Sequence, residues 1–181
     1  MLQVTVPKRE FWDERKQEFV QFKGQALSLE HSLVSISKWE SKWHKPFLGK
    51  DQKTKEEVID YIRCMTLTQN VDPLAFECLT ADNIKTISDY ISDSMTATWF
   101  PKSGSKGPVN GEIVTSELIY YWMVALNIPF ECQKWHLNRL LTLVRICNEK
   151  NKPPKKMSKN AILKQNAALN AARRQKLHTK G

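Results

Sequence analysis

The stretch "TKEEVIDYIRCMTL", residues 54–67, has the pattern of a helix with one side against a core. Thr54 is a residue type that caps helices, and the two glutamates that follow Lys55 suit the positive end of the helix dipole. Val58, Ile62 and Met65 are spaced by four and three residues, which places them on one face. The segment therefore predicts an amphipathic helix that begins after Thr54.

Two other segments repeat this pattern. Ser32 can cap a helix through "LVSISKWESKW", residues 33–43, which Pro46 ends. Thr80 opens "ADNIKTISDYISDSM", residues 81–95, in which isoleucines recur at spacings of three and four. Both segments predict helices that pack against the same core.

The most apolar segment is "IVTSELIYYWMVALNI", residues 113–128. It is hydrophobic around most of its circumference, which predicts the central buried helix of the domain. Pro129 separates it from "FECQKWHLNRLLTLVRICNEK", residues 130–150, for which we expect one amphipathic helix.

The first thirty residues have a different periodicity. The segments "LQVTVP", "EFVQF" and "ALSLEHS", at residues 2–7, 18–22 and 26–32, alternate between apolar and polar side chains, as strands do. The expected fold class is therefore mainly α. We predict a compact helical domain of about five to six helices, with a small N-terminal β-hairpin or three-stranded ribbon and a C-terminal basic helical arm.

The charge of the chain is concentrated at one end. Residues 150–181 contain ten basic residues and no Asp or Glu, which leaves 18 basic and 19 acidic residues in residues 1–149. The formal charge of +9 thus belongs to the C-terminal segment, and the rest is close to neutral. We expect a globular domain over residues 1–149, β-rich over 1–30, and a basic arm over 150–181 that is hinged at Pro153-Pro154.

The arm itself has a helical composition. Ser158 is a good N-cap for "KNAILKQNAALNAARRQKL", residues 159–177, which is rich in helix-forming residues. Its apolar side is thin, so we expect a helix that becomes stable on a partner. The residues predicted to contact that partner are Lys155, Lys156, Lys159, Ile162, Leu169, Arg173, Arg174 and Lys176.

Nucleic acid is one possible partner, since ten positive charges bind polyanions in a salt-dependent way. From Lys150 onward, however, the chain contains no Phe, Tyr or Trp on which bases could stack. An acidic protein surface therefore fits the arm at least as well, and we expect weak, salt-dependent affinity for nucleic acid.

Residue patterns for catalysis or cofactor binding are sparse. Cys132 and His136 stand four apart, but a structural zinc site needs a second pair of ligands and a catalytic thiol needs an orienting group. The loop "KSGSKG", residues 102–107, does not have the P-loop spacing. We expect no enzyme, with no catalytic, cofactor-binding or metal site.

Trp39 and Trp43 lie four apart in the first predicted helix. Packing against the core is the expected role, and an exposed aromatic platform for a partner is the alternative. The four cysteines, in positions 64, 78, 132 and 147, suit free thiols in a reducing cytoplasm, and two disulfides remain open from the count alone. The longest apolar run is too short to span a membrane, and "MLQVTVPKRE" at the N-terminus lacks the pattern of an export signal.

Four segments resemble a known protein family: "HSLVSISKWESKWHKPFL" (31–48), "EVIDYIRCMTL" (57–67), "EIVTSELIYYWMVALNIPFECQKWHLNRLLTLVRICNEKN" (112–151) and "LNAARRQKLHTKG" (169–181). Together they are similar to the tail assembly chaperones of tailed bacteriophages. The resemblance implies a mainly helical, non-catalytic protein of the host cytoplasm that binds the tape-measure protein and brings tail-tube subunits to it. It also implies a possible longer, frameshifted form of the same protein as a partner.

Self-association is a further expectation for the domain. Beside the chaperone function, two alternatives remain open: a virion structural or connector subunit, which also follows from the phage resemblance, and a nucleic-acid-binding accessory protein that acts through the basic arm.

Overall fold

The computed structural model describes residues 1–13, 17–100, 113–152 and 158–178, apart from the side chains of Phe11 and Asp13. The chain divides into two units, Met1–Asn148 and Glu149–Gly181. We call the first unit the body and the second unit the arm. The fold is mainly α, with antiparallel strands at the N-terminus, as the sequence predicts.

The described residues form four strands and seven α-helices. The strands are β1 (Leu2–Val6), β2 (Arg9–Asp13), β3 (Glu18–Phe22) and β4 (Gln25–Leu29). The helices are α1 (Leu33–Trp43), α2 (Lys55–Met65), α3 (Leu74–Glu77), α4 (Ala81–Ser92), α5 (Ser116–Ala125), α6 (Leu137–Asn151) and α7 (Lys159–Leu177). A 3-10 helix, Phe130–Lys134, lies between α5 and α6.

The strands form two nested antiparallel pairs. β1 pairs with β4, and β2 pairs with β3, so the hairpin alternative is confirmed and the three-stranded ribbon is wrong. Gly24, just before β4, has φ +84°, and a Cβ there would come within 3.0 Å of the Lys8 backbone nitrogen. The strand β2 was not predicted, because three of its five residues are charged and such residues are depleted in strands.

The core of the body lies between the β1–β4 pair and the helices. One side of this pair buries Val4, Val6, Leu27 and Leu29, because alternate residues of a strand point to the same face. Its largest fully buried partners come from α1, α2, α5 and α6: Leu33, Ile36, Trp39, Ile62, Met65, Ile119, Met123, Leu137 and Leu140.

Three helices begin where the sequence predicts. Ser32, Thr54 and Thr80 are the N-caps of α1, α2 and α4, and each hydroxyl accepts a hydrogen bond from the backbone N–H three residues later. The cap of α2 is reciprocal, because Glu57 Oε2 accepts from the Thr54 N–H at 2.7 Å. α1 ends at His44, whose φ of 52° is in the left-handed region.

Two helix predictions are wrong in part. The segment 130–150 is divided into the 3-10 helix and α6, because the chain is extended at Trp135 and the Leu137 N–H binds the carbonyl of His31 at 2.7 Å. α5 is not a central buried helix, since it buries only Ser116, Ile119 and Met123 among its ten residues. Its other side faces solvent.

A buried carboxylate fixes the start of α5. Glu40 on α1 is 7% exposed, and its Oε2 accepts from the Ser116 N–H at 2.7 Å, at the N-terminus of α5. Its Oε1 accepts from the Phe47 N–H, also at 2.7 Å. A negative charge at this end of a helix is favourable, and the same group satisfies two backbone donors.

We expect Glu40→Ala to lower the free energy of unfolding by about 2–4 kcal/mol, because two backbone donors lose a charged acceptor. Glu40→Gln keeps one acceptor oxygen and should lose less. The measurement is the midpoint of urea unfolding.

The control for this experiment is Glu56→Ala, because Glu56 is an exposed glutamate in the first turn of α2. It should cost less than about 1 kcal/mol. Equal losses for Glu40→Ala and Glu56→Ala would contradict the anchoring role of Glu40.

Candidate protein-binding surfaces

The arm contains one long helix, α7. Ser158 caps it, with its Oγ accepting from the Ala161 N–H at 3.2 Å, and His178 ends it with φ 51°. Arg174 and Lys176 lie in the last turn, where a positive charge suits the helix dipole. None of the residues of α7 is buried.

The predicted contact residues of the arm lie mostly on one side of α7. At about 100° per residue, Lys159, Ile162, Leu169, Arg173 and Lys176 fall within an arc of roughly 100°. We call these five residues the arm stripe. Arg174 lies about 100° from Arg173 around the helix, outside the stripe. Lys155 and Lys156 lie outside the described residues.

The arm stripe combines apolar and positive groups. Ile162 is 43% exposed and Leu169 is 50% exposed, and two further leucines of α7, Leu163 and Leu177, are also exposed. An amphipathic helix of this kind can lie in an apolar groove that is bordered by carboxylates. Sequence analysis missed both leucines. Leu163 lies about 40° outside the stripe, whereas Leu177 falls within its arc, in line with Lys159.

A second exposed surface lies on the outward side of α5. Tyr121 is 65% exposed, Val124 is 59% exposed, and Phe130 of the following 3-10 helix is 53% exposed. Ala125 is exposed as well. We call Tyr121, Val124, Ala125 and Phe130, with the half-buried Leu118, Tyr120 and Trp122, the α5 patch.

Hydrogen bonding and ring contacts hold the α5 patch in place. The Tyr120 hydroxyl donates to Gln133 Oε1 at 2.9 Å, and the rings of Tyr120 and Phe130 are 6.4 Å apart. Burial and, less strongly, Glu117 raise the pKa of Tyr120, so this hydroxyl stays protonated as a donor. In the sequence, the signal for this patch is that α5 is apolar around most of its circumference. That pattern predicted burial in the core rather than an exposed surface.

The body also contains a buried polar network around His31 and His136. His31 Nδ1 is 2.5 Å from the Tyr61 hydroxyl, and the His31 ring meets the His136 ring edge to face at 5.0 Å. His136 Nε2 donates to the Tyr90 carbonyl at 3.0 Å, and its Nδ1 accepts from the Asn138 N–H at 3.3 Å. This network connects the segment between β4 and α1 with α2, α4 and the start of α6.

Protonation of His31 opposes folding. Burial, and secondarily the charge of His136, lower the pKa of His31 from 6.5 to about 4. The unfolded chain therefore binds a proton at a pH where the folded chain does not. We expect the free energy of unfolding to fall by about 3 kcal/mol as pH decreases from 6.5 to 4.

Chemical unfolding between pH 4 and 7 measures this effect for wild type and His31→Gln. In His31→Gln the free energy of unfolding should decrease much less over this pH range, because the variant has no imidazole to protonate at this position. His44→Asn is the control, since His44 is exposed and Asn tolerates its left-handed backbone. If the free energy of unfolding of His31→Gln depended on pH as steeply as that of wild type, the assignment of this effect to His31 would be contradicted.

Cys132 and His136, the two residues considered for catalysis or metal binding, have structural roles. Cys132 is buried, and burial raises the pKa of its thiol. Both ring nitrogens of His136 are hydrogen-bonded to backbone groups. Within the described ranges there is no cluster of three or more His, Cys, Asp or Glu side chains placed to hold a metal ion. The loop at 102–107 lies outside the described residues.

The two tryptophans of α1 pack as the sequence predicts. Trp39 is buried and donates from Nε1 to the Glu57 carbonyl at 2.9 Å, and Trp43 donates to Asp60 Oδ2 at 2.9 Å. Their rings stack with centroids 6.2 Å apart. These contacts hold α1 against α2. The two tryptophans therefore do not form the exposed aromatic platform that was the alternative. All four cysteines are free thiols.

Comparison with known proteins finds no matching family model, curated protein or solved structure. Among the described residues, none of the helices combines the length and the apolar character needed to cross a bilayer.

Proposed function

We propose that this chain is a non-enzymatic tail assembly chaperone of a tailed bacteriophage. In this function it binds the tape-measure protein in the host cytoplasm and helps to recruit tail-tube subunits. The observation that carries the proposal is α7, a 19-residue helix with no buried residue and an arm stripe of apolar and positive side chains. A helix with this composition is well suited to bind another protein.

The distribution of charge supports a protein partner. The arm from residue 150 onward carries ten positive charges, no acidic residue and no aromatic ring, while residues 1–149 are nearly neutral. Carboxylates on a partner would attract the arm, and Ile162 and Leu169 would supply apolar contact. The residues considered for catalysis already have structural roles, which supports a non-enzymatic function.

Co-expression of the full chain with the tape-measure and tail-tube proteins tests the proposal. We expect the wild-type chain to retain tape-measure protein in a pull-down, and Ile162→Asp/Leu169→Asp to reduce retention at least tenfold. The reason is that two carboxylates would replace the apolar contacts of the arm stripe with charges that water solvates and that acidic partner groups repel.

The matched control is Ala167→Asp/Ala171→Asp. It introduces the same charge into the same helix, but about 140–180° from Ile162. Retention by this control should stay within about twofold of wild type. Absence of retention by the wild-type chain, or equal loss in both variants, would overturn the proposal. Stoichiometric presence of the chain in purified virions would favour a structural subunit instead.

Nucleic-acid binding by the arm should be weak and electrostatic. We expect Arg173→Gln/Arg174→Gln to reduce the slope of log affinity against log salt by up to about two, because each phosphate contact contributes about 0.9. Fluorescence anisotropy with a labelled duplex at several salt concentrations measures this slope. Tight binding at physiological salt in the variant would contradict the expectation, and Lys50→Gln/Lys55→Gln in the body is the control.

A further inference from the structure

The α5 patch is an apolar surface that the described part of the chain leaves open to solvent. The segment from Leu118 to Phe130 contains no charged residue. Four of its apolar or aromatic side chains are nevertheless exposed: Tyr121, Val124, Ala125 and Phe130. Protein interfaces are enriched in aromatic residues and depleted of charge at their centres. The α5 patch has this composition on a short, well-anchored helix.

We propose that the α5 patch is the interface of a two-fold symmetric dimer of this chain. A two-fold interface pairs the same surface of both copies, so each patch must be complementary to itself. The proposal assigns a specific surface to self-association. It stands independently of the proposed function, which concerns the arm.

The charges beside the patch favour a second copy as the occupant. Glu117 lies one turn before Tyr121, and Glu131 and Lys134 lie in the 3-10 helix of Phe130. Arg139 is also exposed, with its guanidinium 4.2 Å from the Trp135 ring. Two carboxylates and two cations therefore lie close to the patch in the chain, and identical surfaces with both signs can meet without net repulsion.

The charge of the whole body leads to the same conclusion. Residues 1–148, the body, contain 18 basic and 18 acidic residues, so two bodies approach each other with almost no net charge. The arms carry the positive charge, and salt screens their repulsion beyond about 10 Å at 0.1 M ionic strength. Moderate salt should therefore favour the dimer rather than dissociate it.

The size of the patch sets the expected strength of the dimer. A buried aromatic side chain covers about 150–250 Å², and Tyr121 and Phe130 are each more than half exposed. With Val124 and Ala125, each copy offers roughly 300–400 Å² of apolar surface. Two such surfaces lie below the roughly 1,200 Å² of a standard interface, so we expect a dissociation constant in the micromolar range.

Sedimentation velocity of the full chain, from about 1 to 300 µM in 0.3 M salt, tests the proposal. We expect wild type to shift from monomer to dimer over this range. Val124→Asp should raise the dissociation constant of the dimer at least tenfold, because the new carboxylate would lose its bound water when two copies pair. Val124 is already exposed, so circular dichroism should show an unchanged fold.

Leu67→Asp is the matched control. Leu67 is 57% exposed on the segment after α2, similar to the 59% of Val124, and it should dimerise like wild type. A monomer at every concentration would overturn the proposal, as would dimerisation of Val124→Asp or equal weakening by Leu67→Asp. Continuous growth beyond the dimer would also overturn it, since a two-fold interface closes.

Discussion

The position of α5 relative to α1 depends on the carboxylate of Glu40. It lies on α1 and binds the backbone N–H groups of Phe47 and Ser116, so it joins two segments that are far apart in the chain. Since Ser116 is the first residue of α5, this contact fixes where α5 begins. Ile119 and Met123 then face the core, and Tyr121 and Val124 face solvent.

The buried histidines add a second constraint of the same kind. His31, between β4 and α1, and His136, before α6, bring Tyr61 and Tyr90 into one network through side-chain and backbone hydrogen bonds. Polar groups buried in this way cost free energy unless each finds a partner. Within the described body, every buried side-chain nitrogen or oxygen has a hydrogen-bond partner. Binding in the proposed function is then left to exposed helices.

Features set by local sequence were predictable, and features set by distant contacts were not. The caps at Ser32, Thr54 and Thr80 depend on neighbouring residues only, as does the arm helix after Ser158. The break before α6 depends on His31, which lies more than one hundred residues earlier in the chain. The role of Glu40 depends on Ser116 in the same way.

The exposed side of α5 shows a different limit. Its apolar composition predicts burial, but composition does not distinguish burial in the chain's own core from burial against another molecule. The charge and the helix-forming residues of the arm predict its helix, but they do not show that Leu163 and Leu177 are exposed beside the predicted contact residues. Candidate sites on helices are therefore best taken from exposure as well as from periodicity.

The central claim is that α7 is the element that a protein partner covers. Hydrogen–deuterium exchange of the full chain, alone and in complex with the tape-measure protein, tests it most directly. We expect the amides of Lys159–Leu177 to exchange rapidly in the free chain and to become at least tenfold slower in the complex. Unchanged exchange in α7, with new protection confined to the body, would contradict the claim.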